Sequence, residues 1–142
     1  MRPLLLVLGA LLAAGCGGGD EDTSAPAPTT AASEGRCTAA TSDLMTPLAN
    51  KLTIADARLT NGWIVESTDH RDVYFVAAEI DSPELAGSGD IAVWATTSPY
   101  GAEAVYSVNE VATRYSDWRA ADAIDVSADD DGVAESRACV FR

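Results

Sequence analysis

Histidine occurs once among the 142 residues, so any Ser-His-Asp or Cys-His site would have to be built on His70. It stands in Ser67-Thr68-Asp69-His70-Arg71-Asp72, a charged stretch between two strand-like segments, where a histidine is ordinarily just solvated. Asp69 and Asp72 are the neighbours that would give it a weak metal or proton-linked role. No Gly-x-Ser-x-Gly elbow is present, and the single lysine, Lys51, follows Leu48 at the spacing where a Ser-Lys pair needs serine. Zinc lacks a second histidine or a spare thiolate to complete its usual ligand set. Gly87-Ser88-Gly89 lacks the third glycine and the strand-to-helix setting of a phosphate-binding loop. Glycoside chemistry needs two carboxylates across a cleft, and among 22 acids no spacing picks out a pair.

Acids do crowd together at Asp125, Asp129, Asp130 and Asp131, next to Gly132. With Gly132 at the sixth position of a calcium loop, Asp129, Asp131 and Glu135 fall on ligand positions. The first position is then Ser127, and the last, where a bidentate Glu belongs, is Ala138. Asp129, Asp131 and Glu135 are therefore a weak calcium candidate, and the composition implies no cofactor. The aromatics Trp63, Tyr74, Trp94, Tyr100, Tyr106 and Trp118 are mostly core in a chain this small. Trp94 and Tyr106 fall in strand-like segments and are expected to be buried. Tyr100 and Trp118 fall in or beside loops and, with His70, are the candidate ligand or partner contacts.

The N-terminus carries a more specific pattern. Arg2, the apolar run Pro3 to Ala14 and a small residue before a cysteine are the parts of a secretory signal peptide. A membrane-spanning helix would need about 20 apolar residues, and Leu4 to Ala14 falls well short. Leu11-Leu12-Ala13-Ala14-Gly15-Cys16 resembles the lipobox of bacterial lipoproteins, with Ala13 where leucine is commonest. The resemblance implies removal of residues 1–15, a diacylglyceryl group on the Cys16 thiol, and anchorage at the outer face of the cell membrane. Two or more acyl chains exceed the single chain that gives only marginal binding. Residues 16–36 then read as the lipidated cysteine and a flexible Gly/Pro/Ser/Thr tether, without enough apolar surface to offset its ordering entropy.

Cys37 to Arg142 suits one domain with a single core. Of three cysteines, Cys16 is reserved for lipid, which leaves Cys37 and Cys139 at the two ends of the domain. In an oxidising exterior an even remainder reads as a disulfide. The formal net charge of −13 becomes one unit more negative once Arg2 is removed, which argues against nucleic acid or anionic lipid surfaces as partners. Scarce lysine beside arginine and abundant alanine resemble the composition of proteins from high-GC Gram-positive bacteria; the mature domain resembles uncharacterised small actinobacterial lipoproteins, a resemblance that supplies no function.

The elements are expected as follows. Thr38 to Leu52 forms a helix with Leu44, Leu48 and Leu52 on one stripe, either kinked at Pro47 or restarted there with Thr46 as N-cap. Ile54 to Ser67 is extended, interrupted at Asn61-Gly62 by a hairpin turn or by a bulge in one long strand. Val73 to Ile80, apolar on both faces apart from Glu79, belongs in the middle of a sheet. Ile91 to Thr97 and Ala102 to Tyr106 continue an antiparallel meander. Ser107 and Glu110 form a capping box for a helix burying Val108, Val111, Ala112 and Tyr115, with a Glu110–Arg114 pair on its wet side. The last segment is a hairpin turning at Asp131-Gly132 or, preferably, a helix capped by Ser127 with Ala134, Ala138 and Phe141 on its stripe. The fold class is α+β: a small antiparallel sheet of three to five strands with flanking N-terminal and C-terminal helices, whose ends a disulfide joins side by side on one face.

A lipid-anchored extracytoplasmic module for binding or protein interaction, without catalysis, fits the tether, the stapled domain and the missing nucleophile chemistry. Its partners would be the membrane through the anchor, an envelope protein or a small ligand, and no nucleic acid. A small extracytoplasmic enzyme using carboxylates or His70 is the alternative, and a structural envelope lipoprotein is another.

Overall fold

The computed structural model describes residues 35–85 and 89–142. The expected signal peptide, Cys16 and the expected tether up to residue 34 lie outside the described residues, as do Gly87 and Ser88.

Two strands with apolar side chains on both faces organise everything else. In β3 (Tyr74–Asp81) and β4 (Ile91–Thr96), Val76, Ala78, Ile80, Ala92 and Trp94 point to one side, and Phe75, Ala77, Ile91, Val93 and Ala95 to the other. Such strands are stable only when both faces are covered. The first face is covered by α1 (Ser42–Ala49) through Leu44 and Leu48, and by α2 (Glu110–Tyr115) through Ala112. The second is covered by α3 (Val133–Cys139) through Val133, with Val126 and Val140 flanking it.

The sheet has six strands, not three to five, in the order of the chain: β1 (Thr38–Ala39), β2 (Arg58–Glu66), β3, β4, β5 (Val105–Ser107) and β6 (Arg119–Ala120). The extra strands are the two-residue edges, too short to leave a periodicity. β2 to β5 form the expected antiparallel meander, and β1 adds to it antiparallel beside β2. The sixth lies parallel to β5, Tyr106 opposite Arg119, because α2 intervenes and returns the chain in the same direction.

Local differences have local causes. The first helix starts later than expected because Thr38 and Ala39 pair with Ile64 and Trp63. It does not restart at Thr46: Pro47 lies inside it, at the loss of one backbone hydrogen bond near its end. Asn61-Gly62 is the bulge and not the hairpin. Thr60 pairs with Glu79 and Trp63 with Ala77, leaving one extra residue on β2, and Asn61 takes the left-handed conformation at φ 51°. Gly62 keeps this bulge against α1, since a Cβ there would stand 2.4 Å from the Met45 sulfur.

Ser107 does not cap α2; it is a buried strand residue. The cap is Asn109, whose Oδ1 accepts from the Ala112 N–H at 3.0 Å and from the Val93 N–H at 2.9 Å, while its Nδ2 donates to the Ile91 carbonyl at 2.8 Å. Because β5 pairs only with Trp94–Thr96, this side chain stands in for the strand missing beside Ile91–Val93. Val111, Ala112 and Tyr115 pack on the first face as expected, but Val108 packs on the second. Glu110 and Arg114 pair on the exposed side.

The last segment is the helix, not the hairpin, but Ser127 does not cap it. Gly132, at φ 93°, precedes α3 and packs so closely that a Cβ would meet Phe75 at 3.0 Å. The buried side chains are Val133, Ser136 and Cys139, so Ala134, Ala138 and Phe141 face solvent, Phe141 at 78% exposure. Cys37 and Cys139 are disulfide-bonded across 102 residues, with Cα atoms 6.0 Å apart. α1 and α3 are therefore not side by side: they lie on opposite faces, and the bridge runs from the residue before β1 to the end of α3.

Cys37 and Cys139 should take up an alkylating reagent only after reduction, as read by peptide mass, and labelling without reduction would contradict the bridge. In the chain-entropy treatment, replacing both with serine lowers unfolding free energy by as much as about 4–5 kcal/mol, measured in urea.

Candidate functional site

The β2–β3 and β4–β5 loops lie at the same end of the meander, since Tyr74 pairs with both Glu66 and Thr96. A cleft of about 520 Å³ opens there, lined by Arg36, β1, Ile64 and Glu66 of β2, Thr68, and Pro99 and Tyr100.

Tyr100 is 76% exposed, yet the turn carrying it is held from below. Thr96, 1% exposed at the end of β4, accepts the Ser98 N–H at 3.2 Å and donates to the Ser98 carbonyl at 3.1 Å, with the Gly101 carbonyl at 3.5 Å. The Tyr100 N–H in turn donates to the Ser98 hydroxyl at 3.3 Å. A large aromatic side chain is thus presented to water on a turn anchored in the core, so little backbone ordering entropy remains to be lost when something lands on it.

A polar network borders the other side of the cleft. The Arg36 guanidinium donates to the Glu66 carbonyl, to Asp131 Oδ2 at 2.9 Å and to Glu135 Oε2 at 3.1 Å. Arg36, assigned to the tether above, is therefore part of the folded unit. Thr68 donates to Asp131 Oδ2 at 2.6 Å, and the Asp131 N–H donates to Asp69 Oδ2 at 2.8 Å. His70 Nε2 lies 2.8 Å from Asp130 Oδ2, which also accepts the Ser127 N–H at 2.8 Å. The Ser127 hydrogen bond, then the His70 contact, hold the Asp130 carboxyl below the usual carboxylate range; for Asp131 the Thr68 hydroxyl acts first and Arg36 next.

These contacts reassign the sequence candidates. His70 is partnered by Asp130, distant in sequence, and not by Asp69 or Asp72. The nearby Ser67 hydroxyl accepts the backbone N–H groups of Asp69 and His70 and shapes the turn, so no Ser-His pair forms there. Asp131 and Glu135 converge on the Arg36 guanidinium, and among the described residues no group of three or more metal-ligating side chains is assembled. Asp129 contributes its N–H to the Ser127 hydroxyl in the preceding turn. Trp94 is fully buried, its indole donating to Ser116 Oγ at 3.2 Å, and Tyr106 is half-buried. Trp118 is half-buried with Lys51 Nζ 5.8 Å from its ring centroid, and it does not line the cleft of Tyr100. The residues that sequence reading missed are Arg36, Thr96 and Asp130. Their roles depend on partners brought in by folding, and in the chain they read as tether, strand and solvated acid.

Comparison with known proteins finds no matching family model, no matching curated protein and no matching solved structure.

A carboxylate held below its ordinary value near about 3.9 stabilises the fold above that value, and the contribution vanishes as pH falls through the folded-state value. The melting temperature should therefore drop on acidification below about pH 4, and less steeply when Asp130→Asn and Asp131→Asn are combined. Thr96→Val should cost about 1–2 kcal/mol and speed hydrogen exchange at the Ser98 amide without changing the rest of the sheet. Unchanged exchange there would show that Thr96 does not hold the turn.

Proposed function

We propose that the chain is a lipid-anchored binding module of the cell envelope, held on the outer face of the membrane through Cys16, and that it acts by binding rather than by catalysis. The observation that carries this reading is Tyr100, exposed on a turn pinned by buried Thr96 at the rim of an open cleft. Large exposed aromatics on stiffened turns favour recognition, because they offer contact area at low entropic cost. The lipobox-like segment supports the address. The Cys37–Cys139 bridge is compatible with an oxidising exterior and adds modest weight. The polar groups nearest the cleft are engaged with one another: His70 with Asp130, Thr68 with Asp131, and Arg36 with two carboxylates. That arrangement serves to hold loops in place.

The test is photo-cross-linking in the native envelope, with a benzophenone amino acid at exposed Thr38 in the wall of the cleft and, as control, at exposed Glu84 at the opposite end of the sheet. Adducts at Thr38 that are absent at Glu84 and lost with Tyr100→Ala are expected. Adducts indifferent to Tyr100→Ala, or none, overturn the cleft as a binding site. Cys16→Ala should abolish incorporation of labelled palmitate and leave residues 1–15 uncleaved, read as a larger intact mass; unchanged labelling overturns the anchor.

A further inference from the structure

We propose that the cleft beneath Tyr100 takes a neutral, polyhydroxylated ligand, a short glycan; this rests on the binding-module reading above and names its ligand class. Four features of the cleft point the same way.

The first is its charge. Among the described residues, the one cation lining the cleft is Arg36, and Asp131, Glu135 and the Glu66 carbonyl already occupy its guanidinium. An anionic ligand would therefore meet no spare positive charge in a chain of formal net charge −13, and would pay for its desolvation unpaired. A cationic ligand fares little better. Among the described residues lining the cleft Glu66 is the one acid, and Asp131 and Glu135 at its border are committed to Arg36, which leaves too few converging acids for a basic partner.

The second feature is the hydroxyl lining. Thr38, Thr41 and Thr68 all border the cleft. Thr41 occupies the N-cap position of α1, where a threonine hydroxyl ordinarily accepts a hydrogen bond from the first turn, yet it makes no such bond. Its hydroxyl remains available as both donor and acceptor. The Thr68 hydroxyl spends its hydrogen on Asp131 and keeps acceptor capacity. Neutral hydroxyls, one free to donate and accept and one left to accept, match sugar hydroxyls, which do both.

The third is the platform. Pyranose rings present a face of C–H bonds with partial positive charge, which suits the negative face of an aromatic ring. Tyr100 offers such a face on a turn that is already ordered. The fourth is size: about 520 Å³ lies within the range of roughly 300–1,000 Å³ typical of small-ligand clefts.

The experiment uses the full chain extracted in detergent and an array of neutral and acidic oligosaccharides, read for the native chain, Tyr100→Ala and Tyr100→Trp. Because Tyr100 is 76% exposed, both variants keep the fold, checked by circular dichroism and by the intact disulfide. Binding to neutral oligosaccharides is expected, weakened more than about tenfold by Tyr100→Ala and retained by Tyr100→Trp. No binding to any oligosaccharide, binding confined to acidic ones, or binding unaffected by Tyr100→Ala overturns the glycan assignment. A silent array together with protein adducts at Thr38 overturns the glycan alone and leaves the binding module standing. A silent array with no Tyr100-dependent adduct overturns both.

Discussion

Covalent closure of the domain between Cys37 and Cys139 is the constraint on which the remaining geometry leans. It joins two elements that pack independently: the edge strand β1, and a helix lying on the face of the sheet opposite α1. A two-residue edge strand contributes few hydrogen bonds and little buried area, and by itself would fray. Anchored at Cys37, it stays in register with Ile64 and Trp63 and forms one wall of the cleft. The same anchor places Arg36 within reach of Asp131 and Glu135, the latter one helical turn before Cys139, so a charge cluster forms where the bridge brings the chain ends together.

That cluster shows how a strongly acidic chain handles its few cations. Instead of leaving Arg36 to attract counter-ions, the fold surrounds it with two carboxylates and a carbonyl, and ties the 67–72 and 127–132 loops to each other through Asp69, Thr68 and His70. Surface ion pairs contribute little singly. Here their effect is positional, because three segments distant in sequence are held at one rim of the cleft. The opposite rim is fixed by another means, the buried Thr96 hydroxyl beneath the Tyr100 turn. A recognition surface between two restrained rims loses little conformational freedom on binding.

Much of the sheet was legible because its central strands are short continuous apolar runs bounded by polar loops. Val73 to Ile80 and Ile91 to Thr97 are apolar on both faces, and both became central strands with helices above and below. Reading failed where one side chain serves two elements. Asn109 caps α2 and also completes the edge of β4, a double role that outcompeted the Ser107–Glu110 capping box, since Ser107 was needed in β5. It failed again at α3, where the Ala134, Ala138 and Phe141 stripe is as periodic as the true one. The bridge turns Cys139 inward, and the close approach of Gly132 to Phe75 sets where the helix begins, so the phase was chosen by contacts outside the segment.

For the site, the residue types were visible and their company was not. The sequence by itself pointed to the α+β class, the central strands, a Cys37–Cys139 bridge and an exposed Tyr100, because these follow from apolar runs, cysteine position and loop composition; the same loop reasoning failed for Trp118, which is half-buried. Only the tertiary structure decided that Asp131 and Glu135 hold Arg36, that His70 pairs with Asp130, and that Tyr100 shares a cleft with Thr38, Thr41 and Thr68. Those contacts join positions as far apart in the chain as Arg36 and Glu135. Hydrogen bonds and ion pairs of that range leave no periodic trace in a chain, since they are fixed by where the strands place each loop.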